Sequence, residues 1–497
     1  MDKLDNLRNV KSEVLLGGGK EKIDKQHSLN KLTARERISY LLDEGSFVEL
    51  DALVSQRMGI KYSDKNLACD GVVCGYGTIM DRPVCVYAQD YTVLGASLGE
   101  MHANKILKVM DMAAKTGVPV IGLTESAGIR LKEGLNALDG LGKILAKAAS
   151  LSGVVPQISV VMGPLAGIAS SISQLSDFTF MTDKTSSLFV NGPQVVKGNS
   201  HNDVTAESLG GAKKCLENGK AHFVYEGDKE CLDAVKDFLS FLPDNNLSDT
   251  LYMGETDDIN RISSVLNQIN PDDINTIITE IVDNGRFVEI QKDYAKNIIA
   301  GFAHLGGESI GIVANNGLLD TKGCEKISRF VRFLDSFNIP VLTFTNVDGF
   351  EVSLDEEDTI TKAAANLICA YSEATVAKIN VITGKASGGA YLCMGSKHIG
   401  ADVVFSYPDA EISVLSSSAA ANIMFKDDIA ESDDPINERK AKIEEYKEKE
   451  ANPYVAASLG FVDDVIEPDS SRPRIISALL LLAGKRESGL SKKHRSN

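Results

Sequence analysis

Adding 221 to a residue number in the first half of the chain returns a similar residue in the second. Lys105-Ile106 recurs as Lys326-Ile327, Pro119-Val120 as Pro340-Val341, Gly163 as Gly384, Gly167 as Gly388 and Ala169 as Ala390. The register holds without a gap from the first of these matches to the last. A fixed offset over a run that should hold helices, strands and glycine turns points to two similar domains. Within the first, the apolar pattern predicts β-branched strands at 84–87, 118–123 and 155–162 and an amphipathic helix at 98–116. That βαβ order is the signature of an α/β fold with a largely parallel sheet.

The expected organisation is an N-terminal helical extension over 1–65, a first domain over 66–245, a linker over 246–283 and a second domain over 284–497 that ends in charged helices. In the extension, Thr33 and Glu36 have capping-box spacing before an apolar stripe of Ile38, Leu41 and Leu42. The triplet Gly17-Gly18-Gly19 reads as a loop rather than a phosphate cradle. The stretch 426–450 reads as solvated helix.

Composition excludes several classes. With 497 residues and 43% hydrophobic content, the chain can bury large cores, and its formal charge of −17 repels nucleic acid and anionic membranes. No apolar run approaches the roughly 18–20 residues of a membrane span, and the polar start has no signal-peptide core. The eight cysteines form no Cys-x-x-Cys pair. Reduced core thiols in a cytoplasmic protein with no metal are therefore expected.

The repeated strand in each half runs into a glycine-rich segment, Gly163 to Ala169 and Gly384 to Tyr391. Glycine lets backbone N–H groups approach a ligand, and donors aimed at a developing oxyanion stabilise it. Packing of helix on strand is the other reading of such glycines. Duplication of the turn at one register favours function. A third segment, Thr124 to Lys132, offers Ser126, Ala127, Gly128, Ile129 and Arg130. Its glycine and two cations suit a phosphate or pantetheine tail, and a solvated loop is the alternative. No catalytic triad, Walker motif or metal-ligand spacing occurs. The seven histidines, at 27, 102, 201, 222, 304, 398 and 494, do not cluster, and His102 and His398 read as structural.

The chain resembles the biotin-dependent acyl-CoA carboxyltransferases. The resemblance is carried by 31–43 (KLTARERISYLLD) with Gly45-Ser46-Phe47, by Gln89-Asp90-Tyr91-Thr92, Ser97-Leu98-Gly99-Glu100 and Asp177-Phe178-Thr179-Phe180, and by Tyr294-Ala295-Lys296-Asn297. It continues through Arg329 to Phe333, Phe337 to Pro340, Ser396-Lys397-His398, Asn452-Pro453-Tyr454 and Val462 to Pro468. It is similar in type to propionyl-CoA carboxylase β subunits and to the α subunits of methylmalonyl-CoA and glutaconyl-CoA decarboxylases.

The resemblance implies two tandem crotonase-like domains. The first would hold the CoA thioester and the second biotin, with the active site between the first domain of one copy and the second of another. It implies oxyanion holes at Gly167 with Ile168 and at Gly389 with Ala390. Ser126 to Arg130 and Leu392 would contact substrate, and Gly388, Gly349 and Phe350 would contact biotin. The carboxyl group would pass between carboxybiotin and the α-carbon of a short-chain acyl-CoA. The sequence departs from the family pattern at Ile168, Ala127 and Ile129 and in the glycine-free stretch 351–366, and Leu392 stands where the family sizes its acyl pocket.

An Ala-Met-Lys-Met attachment motif and an ATP-grasp region are absent. A separate biotin carboxyl carrier protein is therefore expected, with a biotin carboxylase or a membrane decarboxylase subunit, and a homo-oligomer from dimer to hexamer. Two alternatives stand beside a carboxylase subunit: the α subunit of a sodium-pumping acyl-CoA decarboxylase, and a non-catalytic scaffold. An ordinary crotonase-type hydratase lacks its glutamate pair here.

Overall fold

β-Branched and apolar runs bounded by glycine and proline form the strands, and the 3.6-residue stripes form the helices that cover them. The computed structural model describes residues 2–57, 68–201, 203–254 and 256–489. The end of the expected extension, 58–65, and His494 lie outside them. The chain divides into two units, Met1–Ser248 and Asp249–Asn497.

In the first unit, strands Val72–Ile79 and Arg82–Gln89 form an antiparallel hairpin, with Val48–Leu50 on its outer edge. Val120–Ser126, Gln157–Ala166, Phe178–Thr182 and Phe223–Tyr225 follow in parallel. Ser187–Phe189 pairs with the far end of Gln157–Ala166. The second unit repeats this order: hairpin Ile298–Leu305 and Glu308–Asn315, then Val341–Val347, Lys378–Ser387, Val403–Ser406 and Asp464–Val465, with Phe287–Glu289 at the other edge and Glu411–Ser413 on the end of the long strand.

The offset of 221 holds to the residue here. Val120–Ser126 and Val341–Val347, and Gln157–Ala166 and Lys378–Ser387, have matching limits. The ladder between them shifts register at Thr124/Ser126 in one unit and at Thr345/Val347 in the other. Helices Glu100–Thr116 and Thr321–Ser336 match as well. After them Gly117 (φ +67°) and Asn338 (φ +59°) take the left-handed conformation that lets the chain turn back toward the sheet.

Each unit has its own core. Ile106, Val109, Leu141, Ile144 and Val161 pack between sheet and helices in the first. Ile312, Phe344, Ile379 and Ile475 belong to the second. Helix Ile274–Ile281, inside the stretch expected as linker, gives Ile274, Ile277, Ile278 and Ile281 to that second core. The Asn- and Asp-rich composition of 246–283 concealed the isoleucine stripe at its end. Helices Lys3–Leu15, Lys20–Ser28 and Ala34–Leu41 open the chain, and the Thr33/Glu36 capping box is formed. Helix Lys426–Glu431 is largely exposed, whereas Pro435–Lys449, expected as solvated helix, buries Tyr446 against Ala420 and Ala451.

One buried device is duplicated. The Lys105 ammonium, 1% exposed, donates to the carbonyls of Cys69 (3.0 Å) and Val72 (2.6 Å). Lys326, its counterpart, donates to Gln291 (3.1 Å), Tyr294 (3.0 Å) and Ile298 (2.8 Å). Burial pushes the Lys326 pKa down to about 8.

Candidate active site

Both long central strands end at a left-handed glycine. Gly167 follows Gln157–Ala166 with φ +75°, and Gly388 follows Lys378–Ser387 with φ +59°. A short helical turn begins at each, and neither Ala166 nor Ser387 caps it with a side chain. The first N–H groups of such a turn have no intrahelical acceptor. At Gly167 no protein atom lies within 4 Å of where a Cβ would stand, so the backbone is open to an approaching group.

Gly163 and Gly384 belong to a different class. They lie inside the strands, and a Cβ there would collide with the side chains of Glu125 and Asn346 respectively. These glycines serve packing; Gly167 leaves the backbone open, whereas a Cβ at Gly388 would stand 3.0 Å from the Val414 carbonyl oxygen.

A second glycine pair forms the companion turns, Gly128 (φ +102°) and Gly349 (φ +129°). Leu98 N donates to Gly128 O (2.9 Å) and Arg130 N to Leu98 O (2.8 Å). In the second unit Leu319 N donates to Gly349 O (3.0 Å) and Glu351 N to Leu319 O (3.0 Å). The strand before the first of these turns runs on through Ser126, past the expected end at 123, because the ladder resumes after its register shift at Ser126–Leu165. Ser126 Oγ donates to Ala96 O (2.8 Å) and accepts from Gly128 N (3.1 Å), while Ala127 N donates to Gly95 O (2.9 Å). Ile129 packs against the core.

Arg130 differs from the expectation of a cation offered to a ligand phosphate. It is 3% exposed. Its guanidinium bonds Asp70 Oδ1 (2.5 Å), Glu133 Oε1 (3.0 Å) and Ser97 O (2.7 Å). Two carboxylates and a carbonyl surround it, so the charge is consumed inside the unit and holds the turn's far end.

The turns of the two units differ in polarity at matching positions. Pro164, Ala127 and Ala166 in the first correspond to Lys385, Asp348 and Ser387 in the second. Lys385 Nζ lies 2.6 Å from Asp348 Oδ2, and this pairing holds its pKa above the ordinary lysine value. Beside them a Cβ on Gly389 would stand 3.3 Å from the Phe350 ring, and none would meet an atom at Gly349. Ile168 and Leu392, each the outward residue of its turn, are 45% and 39% exposed, and Ala390 is buried. The stretch 351–366 is largely helical, in Leu354–Glu357 and the start of Ile360–Glu373, and Val352 and Leu354 face outward.

Sequence reasoning missed Glu125. Its carboxylate is 0% exposed and accepts from Lys31 Nζ, from Arg37 Nη1 (2.9 Å) and from Gln26 Nε2 (3.3 Å). These partners lie 88 to 99 positions away, beyond any local pattern. Burial holds the Lys31 pKa below the ordinary lysine value, Glu125 opposing it. Glu125 N donates to Gln89 Oε1 (3.1 Å), and Gln89 Nε2 lies 3.1 Å from His102 Nε2. His102 is fully buried and structural, as expected, and burial lowers its pKa to about 3. His398 is exposed and packs its ring 4.5 Å from that of Phe461.

Comparison with known proteins bears on these turns. The family model "Carboxyl transferase domain" matches residues 25–497. The chain is 47% identical over 506 residues to the methylmalonyl-CoA decarboxylase subunit alpha of Propionigenium modestum, covering 99% of this chain and 98% of that one. It is 47% identical over 509 residues to the propionyl-CoA carboxylase carboxyltransferase subunit of Haloferax mediterranei, with the same coverage. Among solved structures, the transcarboxylase 12S hexamer with methylmalonyl-coenzyme A and methylmalonic acid bound is matched with TM-score 0.95 and 41% identity, over 99% of this chain and 97% of that one.

Proposed function

The chain belongs to the carboxyl transferase domain family, and from that premise we propose that its two glycine turns are the paired oxyanion holes of one transfer reaction. It is a carboxyltransferase of the biotin-dependent acyl-CoA carboxylase family, with two parallel-sheet units of crotonase-like fold. The observation that carries the proposal is the match between Gly167 and Gly388, both left-handed and both directly after strands whose limits correspond at the offset of 221.

The acyl-CoA thioester would lie on the first unit against Ser126, Ala127, Gly128 and Ile129, with Arg130 bracing the turn from beneath. The N–H groups of Gly167 and Ile168 would hold the thioester oxygen. In the decarboxylating direction the bond from the α-carbon to the carboxyl carbon breaks and its electron pair moves toward that oxygen. Each well-placed donor is worth about 3 kcal/mol in the transition state. Biotin, when bound, would supply the ureido nitrogen that takes up the carboxyl group, and the proton lost from that nitrogen would end on the α-carbon. On the second unit, Gly389 and Ala390 N–H would bond the oxygen beside that nitrogen, with Gly388, Gly349 and Phe350 shaping the place. Leu392 would bound the acyl group. No side-chain base is needed if both developing anions rest on fixed dipoles.

Exposed apolar side chains ring both turns, with Leu131 (89%) and Ile168 in one unit and Val352 (82%) and Val414 (79%) in the other. Such rims call for cover, and a homo-oligomer that joins the first unit of one copy to the second unit of another would provide it. The biotin would arrive on a separate carrier protein. A cytoplasmic location goes with this reading: all eight cysteines are free thiols, and no helix among the described residues is long and apolar enough to cross a membrane.

Equal identity to a decarboxylase subunit and a carboxylase subunit leaves both directions in play. The partner that copurifies decides: a biotin carboxylase for one, a membrane pump subunit for the other. The test of the reading is purified protein mixed with methylmalonyl-CoA or malonyl-CoA and biocytin. Formation of propionyl-CoA or acetyl-CoA is expected. No carboxyl loss from any short-chain acyl-CoA would overturn it and leave a scaffold.

A further inference from the structure

Glu125 is the next-to-last residue of the strand Val120–Ser126 that feeds the turn 126–129, and its carboxylate is sealed from water. A buried carboxylate is costly unless paired and hydrogen-bonded. Its side-chain partners Gln26, Lys31 and Arg37 all come from the N-terminal arm, outside the repeat. Arg37 extends the same grip to Asp228 Oδ2 (2.8 Å) and to Met162 O (3.1 Å), on the neighbouring central strand just before Gly163.

The second unit fills this place with an uncharged side chain. Asn346 occupies the matching place. Its Oδ1 accepts from Lys385 N (2.9 Å), and its Nδ2 donates to Asp272 Oδ1 (2.9 Å). The arm has a further foothold under the first turn. Gly18 N donates to Thr92 Oγ1 (3.0 Å), and a Cβ on Gly18 would overlap Thr92 O. Thr92 heads the loop whose Gly95 and Ala96 carbonyls hold Ala127 and Ser126. The arm therefore grips both the strand end before the turn and the loop beneath it.

We propose that Lys31 and Arg37 are positioning residues which, by clamping Glu125, set the 126–129 turn for its acyl-CoA, so that docking of the N-terminal arm controls affinity on that side of the reaction alone. The inference rests on the reading of this turn as the acyl-CoA site. Asymmetry is its signature. General loosening of the protein would affect both substrates, whereas a displaced turn affects one.

The experiment compares wild type with Lys31→Met, Glu125→Gln and Lys31→Arg, using methylmalonyl-CoA and biocytin. Lys31→Met and Glu125→Gln are expected to raise the KM for methylmalonyl-CoA roughly tenfold or more, since small misplacements of binding groups cost that much. The KM for biocytin stays unchanged, and Lys31→Arg recovers most of the loss. Amide hydrogen exchange, read without turnover, should quicken at 126–130 in Lys31→Met and not at 387–392. Unchanged exchange at 126–130, or both KM values rising together, would overturn the clamp. Wild type that turns over no acyl-CoA would defeat the functional reading instead, with the exchange data still deciding whether the arm holds the turn.

Discussion

The carboxylate of Glu125 and the carboxamide of Asn346 fill the same space in the two units, each pressed over a strand glycine, Gly163 or Gly384, that leaves no room for a Cβ. One sequence duplicated at a fixed offset thus keeps a steric solution while changing the charge that fills it.

Gly163→Ala and Gly384→Ala should each destabilise the protein by about 1–3 kcal/mol, the usual cost of forcing an extra carbon into a packed interior. Gly142, exposed in helix Leu135–Leu151 with nothing near its Cβ position, is the control. Gly142→Ala should be neutral or stabilising by up to about 1 kcal/mol. Thermal melts of the three variants check this.

Gly389→Pro removes one amide donor and should lower the decarboxylation rate with biocytin on the order of 100-fold, matching about 3 kcal/mol. Gly167→Ala faces open space but a φ of +75°. Its cost is backbone strain of roughly 1–2 kcal/mol, and the rate should fall as the turn relaxes. Activity of Gly389→Pro at the wild-type level would remove the second oxyanion hole.

Arg130→Met leaves Asp70 and Glu133 buried without their cation. Breaking such a pair typically costs about 3–5 kcal/mol, so a large fall in melting temperature is expected. Because Arg130 is enclosed, competition of 3′-phosphorylated and dephosphorylated CoA should show the same preference in Arg130→Lys as in wild type. A lost preference for the phosphate would make it a ligand contact after all.

The His102 imidazole is held neutral by burial, with a pKa near 3 against an ordinary 6.5. Below pH 6.5 the unfolded chain therefore binds a proton that the folded chain does not, and stability falls with pH from about 6.5 toward 3. The melting temperature should drop across that window, and less steeply in His102→Asn. Equal slopes would show that other groups govern the acid limit.

Much of this protein is local information. A strand near 118–123, its duplicate at an offset of 221 and the Thr33/Glu36 cap follow from residue type and spacing, because backbone sterics and hydrophobic period act over a few residues; the extension of that strand to Ser126 depends on its neighbour in the sheet. Resemblance to the carboxyltransferases was legible for the same reason, in short motifs.

Charge was not legible. Arg130 looked available because its neighbours in sequence are a glycine, two isoleucine-like side chains and a lysine; Asp70, 60 positions away, takes it. Glu125 looked like one more polar residue in a loop, and the arm that neutralises it lies 94 positions upstream at Lys31. The amino-acid order alone determined the duplicated α/β framework and where its backbone opens. Only the folded chain decided which ionisable groups are spent in holding that backbone still, since the strength and partner of a charge depend on burial and distance, which no sequence spacing records.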